Sequence, residues 1–342
     1  MPCAFRPPLL RLLLQSALAL LLFSTSALHA AEAELAPLAE RTFLLDGQVH
    51  GAHRVAVGER GHILVSADAG RSWRQSPVPT RVTLTSVFFV DDRQGWAAGH
   101  DTTILRTRDG GATWQTVYAD PERDAPILDL WFHDPLRGLA VGAYGLILVT
   151  NDGGDSWQDQ ELTVTGAHAA QTHALPDEAG TPGLDLHFNQ LQATSAGQLY
   201  LAGEGGHLYR SADGGNSWEP SPVPYTGSLF GTLPLDDRRL LAFGLRGHLF
   251  YSADGGRRWE VVETGTDATL NDAVRLRDGR IALVGLAGAV LVGRDSGTRF
   301  DLYAQPDRAG FSRVLAAPDG ALILLGAQGA RRLELPPAGG PR

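Results

Sequence analysis

The sequence predicts an all-β, seven-bladed β-propeller. Three observations predict it. A short box, [ST]-x-D-x-G-x-x-W, returns down the chain. A turn glycine recurs at Gly58, Gly99, Gly142, Gly203, Gly244, Gly285 and Gly326, with spacings of 41, 43, 61, 41, 41 and 41. Between these marks, β-rich runs alternate with turn residues at roughly ten-residue intervals. A fixed period in this range, with four strand-like runs per unit, is the signature of a propeller blade.

Residues 1–30 read as a secretory leader. Arg6 and Arg11 precede the apolar run Leu12 to Phe23, and small residues follow through Ala27 and Ala30. That run is short for a membrane span and fits a cleaved signal. The expected domains are therefore a signal peptide over 1–30 and one propeller over 31–342, exported to the periplasm or beyond. Cys3 is the single cysteine of the 342 residues, so the chain after Ala30 has no disulfide and relies on packing. All 29 basic residues are Arg, and the formal charge of −9 becomes −11 once the two leader arginines are removed. Such an acidic chain is not expected to bind nucleic acid over its whole surface.

The second unit gives the template. Leu84 to Val90 is a first strand, Gly95 to Gly99 a second, Thr103 to Thr107 a third and Trp114 to Tyr118 a fourth. First strands are expected likewise at Phe43 to Val49, Ile127 to His133, Leu229 to Leu235, Leu270 to Leu276 and Phe311 to Ala317. The 61-residue spacing marks an insertion within about 160–183, between blades three and four, read as a long loop. Blade seven has a third strand near Ala330 to Leu335 and no box. The segment Ala33 to Leu38 is expected to supply its fourth strand and close the ring, hiding an edge open to aggregation.

The boxes read as structure. They are Ser66, Asp68, Gly70 and Trp73; Thr107, Asp109, Gly111 and Trp114; Thr150, Asp152, Gly154 and Trp157; Ser211, Asp213, Gly215 and Trp218; and Ser252, Asp254, Gly256 and Trp259. A sixth is degenerate, with Gly293 for Ser and Phe300 for Trp. Short Ser, Thr and Asp side chains bond to nearby backbone N–H groups, and Gly supplies φ > 0. Each box should lock the hairpin between third and fourth strands, with Trp filling the core. One carboxylate per box does not make a Ca²⁺ loop, so no metal is expected there.

Antiparallel strands put all the boxes on one face. The short turns after the second strand and the inter-blade connections share the other, which is the expected binding surface. There, Arg60, Arg81, Arg246 and Arg308 are expected to form a basic patch with Tyr144 and Tyr225, suited to carboxylates. His62, His207 and His248 share one repeat position and read as strand-start residues. His168, His173 and His187 lie near the insertion with Asp177 and Glu178. No P-loop, nucleophile elbow or H-E-x-x-H appears, and no cofactor is called for. The acids Glu59, Asp101, Glu122 and Glu204 leave a sialidase-like or other glycan-active hydrolase as the alternative.

The run Gly58 to Trp73 resembles the photosystem II stability/assembly-factor propellers, which carry Asp-box (BNR-like) repeats. So do Gly95 to Trp114 and Gly138 to Gly142. The likeness covers about residues 43–335. It implies an exported, non-enzymatic assembly or interaction factor with a membrane-associated protein partner. An Arg-rich binding surface in that family would correspond to Arg60 and Arg246. The insertion and the degenerate last boxes depart from the family pattern.

Overall fold

The computed structural model describes residues 31–166, 186–294 and 296–336. The leader, most of the insertion with His168, His173, Asp177 and Glu178, and Asp295 of the sixth box lie outside the described residues.

Among the described residues, seven antiparallel sheets form, six of four strands and one of three, each with its strands in chain order. The first strands are Leu44–His50, Leu84–Phe89, Ile127–Phe132, Phe188–Ala193, Leu229–Pro234, Leu270–Arg275 and Phe311–Ala316. Each touches the first strand of the next blade, and the seventh touches that of blade one. The first strands therefore line the axis and the ring is complete. This is the seven-bladed all-β propeller that the repeat predicts, with strand ends within a residue or two of expectation.

The second strands, such as Gly95–Gly99 and Leu240–Gly244, are buried at every position except His53 in blade one. Their apolar residues fill both neighbouring sheet interfaces. Each ends in the periodic glycine because the chain entering the same blade crosses there. A Cβ on Gly58 would lie 2.1 Å from the Phe43 carbonyl oxygen, and one on Gly285 would lie 1.8 Å from that of Thr269. The period is thus set by a close backbone approach that only glycine permits.

The box aromatics occupy the seams between blades. Trp114 joins the core shared by blades one and two, Trp157 that of two and three, and Trp218 that of three and four. Trp73 lies in the closing seam with Ile323 and Leu325 of blade seven. Phe300 does the same for blades five and six, which explains why the degenerate box keeps an aromatic there.

Two expectations change in detail. The segment 31–38 forms no strand, and blade seven keeps three strands, Phe311–Ala316, Leu322–Gly326 and Gly329–Leu333. Instead the segment is tied to blade one. Ala33 N–H donates to the Val78 carbonyl at 2.9 Å, and Ala36 N–H to Gln75 Oε1 at 2.8 Å. The 3₁₀ turn Ala39–Arg41 then meets the last strand of blade seven, so the segment bridges both ends of the ring without strand pairing. Gly329 carries φ +84 and lies against the Glu40 carbonyl, too close for any side chain. The insertion also begins as more than a loop. Val164 forms a parallel bridge to Trp218, and Thr165 N–H donates to the Trp218 carbonyl at 2.8 Å, lengthening the outer edge of blade four.

Candidate functional site

The two faces are chemically distinct. On one, each box closes on itself. In the third box, Thr150 Oγ1 donates to Asp152 Oδ1 at 2.8 Å and accepts Gly154 N–H at 2.9 Å. Asp152 also accepts Ser156 N–H at 2.9 Å and the Ser156 hydroxyl. These bonds from Ser156 and Thr150 hold the Asp152 carboxyl down at about 2. Asp68, Asp109, Asp213 and Asp254 are lowered as well, by hydrogen bonds that outweigh their burial. Each carboxylate is thus saturated by its own turn. Among the described residues, no group of three or more His, Cys, Asp or Glu side chains is placed to hold a metal ion.

On the opposite face, the turns after the second strands are single 3₁₀ turns in five of the seven blades. Glu59–Gly61, Ala143–Gly145 and Leu245–Gly247 are equivalent. Their middle residues Arg60, Tyr144 and Arg246 hold φ of 58°, 56° and 56°, left-handed backbone that costs a side-chain-bearing residue about 1 kcal/mol. All three are exposed. Tyr144 stands perpendicular to His187, ring centroids 5.1 Å apart. Arg308, at φ 54°, is exposed on the connection into blade seven.

The predicted patch is only partly brought together. Tyr225 and Arg246 are neighbours, because the Tyr225 hydroxyl donates to the Leu245 carbonyl at 3.2 Å. Tyr225 is half-buried and stacks on His248 at 4.2 Å. Burial raises its phenol pKa against the pull of Arg246. Arg81 is exposed but held by the N-terminal segment, with Nε donating to the Glu32 carbonyl at 2.8 Å and an ion pair to Glu34 at 2.9 Å. Arg60, Tyr144 and Arg246 belong to blades one, three and five, spread around the face rather than clustered.

The repeat-position histidines serve as strand-start groups, as expected. His62 is buried beside the Thr42 hydroxyl at 2.9 Å, His207 meets the Tyr209 hydroxyl at 3.1 Å, and His248 the Leu245 carbonyl at 3.0 Å. Burial lowers the pKa of His62 and His207. Glu59 and Glu204 have an equivalent structural use. Each accepts the N–H of the residue just before its own first strand, Phe43 at 3.3 Å and His187 at 3.2 Å.

A belt around the axis went unread in the sequence. The third residue of each first strand is Asp46, Ser86, Asp129, Gln190, Gly231, Asp272 or Arg313. Asp46 accepts Val87 N–H at 2.8 Å, Asp129 accepts Leu191 N–H at 2.7 Å, Gln190 accepts Thr232 N–H at 2.7 Å, and Asp272 accepts Val314 N–H at 2.8 Å. Each thereby joins its blade to the next. Arg313 completes the belt with ion pairs to Asp46 at 3.0 Å and Asp272 at 3.2 Å. Burial drives Asp272 up to about 6, although Arg313 opposes the shift. Burial and the nearby Asp46 raise Asp129 to about 7. Asp129 is half-buried and Asp272 is buried.

The fold and its box turns define an Asp-box propeller with a turn face closed by its own hydrogen bonds and an opposite face of exposed, strained turns. Within that class the chain is similar to the photosystem II assembly factors. The family described as photosynthesis system II assembly factor YCF48 matches residues 65–127. The photosystem II stability/assembly factor HCF136, chloroplastic, of Cyanidioschyzon merolae is 34% identical over 100 residues. That stretch is 27% of this chain and 23% of the relative. A solved structure of YCF48 bound to D1 peptide superposes with TM-score 0.64 at 21% identity, covering 85% of this chain and 92% of that one. The GH74 xyloglucanase from Xanthomonas campestris reaches TM-score 0.65 at 12% identity, over 85% of this chain and 52% of that one. At these identities the superpositions establish the fold, while the sequence matches support the resemblance to the assembly-factor propellers.

Proposed function

We propose that this protein is an exported, non-enzymatic assembly or stability factor. It holds an extended segment of a membrane-associated protein on the face away from the boxes. The carrying observation is the set of exposed side chains Arg60, Tyr144 and Arg246 on left-handed backbone at equivalent turns. Strain of this kind persists where the surrounding structure imposes it, and it concentrates at functional sites. Arg60 and Arg246 have no ion-pair partner among the described residues, so both guanidiniums are free to take a carboxylate or a backbone carbonyl of a bound segment. The local sequence match to assembly factors, one of whose solved structures holds a D1 peptide, supports the same reading. The hydrolase alternative draws less support, because Glu59 and Glu204 are committed to the backbone of their own blades.

The test is a crosslinking capture from intact cells, comparing the native chain with the Arg60→Glu/Arg246→Glu double variant. The native chain is expected to retain a membrane-protein partner that the variant loses. Capture of the same partners by both would overturn this face as the binding surface. Turnover of a fluorogenic glycoside, abolished by Glu204→Gln, would overturn the non-enzymatic reading.

A further inference from the structure

The box face carries a second candidate site, at the mouth of the axial channel. A cavity of about 340 Å³ opens there between the first strands of blades six, seven and one. Arg54, Arg277, Arg313 and Asp272 line it, together with an apolar wall that includes Val274 and Leu315. The position follows from the turns: Arg54 is the second residue of the second strand of blade one, His53–Gly58, and Arg277 lies in the corresponding turn of blade six. These first-to-second turns share the box face, as the bond from Gly255 N–H to the Arg238 carbonyl shows in blade five.

The charge in this cavity is unbalanced. Arg313 is matched by Asp46 and Asp272, and the Asp272 oxygens are already engaged by Arg313 and Val314 N–H. Arg54 is only 5% exposed. Its Nη1 reaches the Ala52 carbonyl at 2.7 Å, and its buried Nε has no partner among the described residues. Arg277 is exposed and has no partner among the described residues. Asp319 lies near enough to influence Arg54, but its oxygens are taken by Arg71 at 2.9 Å and Arg332 at 2.8 Å. A buried donor of a charged group left without an acceptor is costly and calls for one.

We propose that this mouth binds a monocarboxylate with a short aliphatic tail. The carboxylate takes the open Arg54 Nε–H and the Arg277 guanidinium, and the tail lies along Val274 and Leu315. The volume is at the small end of ligand sites, which suits a molecule of a few carbons. The apolar wall and the neighbouring Asp272 favour a monoanion over a phosphate dianion, which would bring a second negative charge beside a buried carboxyl.

The probes are hexanoate, hexanol and inorganic phosphate, titrated into the full chain at low salt and followed by calorimetry and ligand-observed NMR. Saturable one-to-one binding of hexanoate is expected, with neither hexanol nor phosphate competing at equal concentration. Arg277→Ala is expected to weaken hexanoate about tenfold, the worth of one charge-assisted bond. Arg54→Met should weaken it at least as much, and Arg108→Ala, at an exposed position of the second box, should leave it unchanged. Because Arg277 is exposed, its variant reads out binding even where Arg54→Met fails to fold. No saturable hexanoate binding, equal binding of hexanol or phosphate, or an unchanged Kd in Arg277→Ala would each overturn the proposal.

Discussion

At the scale of single residues, the two faces differ in how they use backbone strain. In the boxes, positive φ falls mainly on glycine, as at Gly111, Gly154 and Gly215, and the conformation is relaxed. On the other face it falls on Arg60, Tyr144, Arg246 and Ala287, each the middle residue of an equivalent turn. Blade four shows the relaxed alternative at the same position, Gly205 with φ 64°. Arg246→Gly is therefore expected to leave stability unchanged or to raise it by no more than about 1 kcal/mol, since glycine removes the left-handed penalty but adds chain entropy to the unfolded state. The same variant should lose partner capture. Chemical denaturation together with the crosslinking assay checks both halves. A marked loss of stability would mean that the arginine supports the fold rather than a partner.

At the scale of elements, the box was legible because its chemistry repeats in full, and hydrogen-bonding turns need the same short side chains each time. The N-terminal segment was legible only in its location. Its small and acidic residues carry no alternation that would separate a strand from an extended tie. The tie is made by side chains of blade one, Gln75 and Arg81, which a strand-pairing argument does not consult. Ala33 and Ala39 are both buried by this docking. Deleting residues 31–38 is expected to destabilise the protein by about 2–3 kcal/mol, from several hydrogen bonds at roughly 1 kcal/mol each. Thermal melting of the truncated chain checks this, and a midpoint equal to that of the full chain would show that the segment is a free tail. The axial belt is not legible in the sequence, for the opposite reason. Asp46, Gln190, Asp272 and Arg313 recur at the blade spacing, but their chemistry changes from blade to blade. A search for repeated residue types passes over a repeated position.

At the scale of the whole molecule, that belt sets how the ring responds to pH. The box carboxylates and the axial Asp129 and Asp272 act with opposite sign. Asp152 is lowered from 3.8 to about 2, so its turn stabilises the fold above pH 3.8 and loses that contribution as pH falls toward 2. Asp272 is raised from 3.8 to about 6, so the folded state holds a proton that the unfolded state has released. Its contribution is full below 3.8 and is lost as pH rises to about 6, at roughly 1.4 kcal/mol per pH unit within that window. Arg313 limits the loss, because it is the cation paired with Asp46 and Asp272. Arg313→Met should leave Asp272 beside Asp46 without its cation and extend the window upward. At pH 8 the variant is expected to be about 3 kcal/mol less stable than the native chain, the low end for a broken buried pair because the Arg313 side chain is 28% exposed. At pH 5 most of that deficit should vanish as Asp272 takes up a proton. Denaturation at the two pH values checks this. An equal deficit at both would show that Arg313 acts by filling space, and that the blades are joined without regard to the charge of the belt.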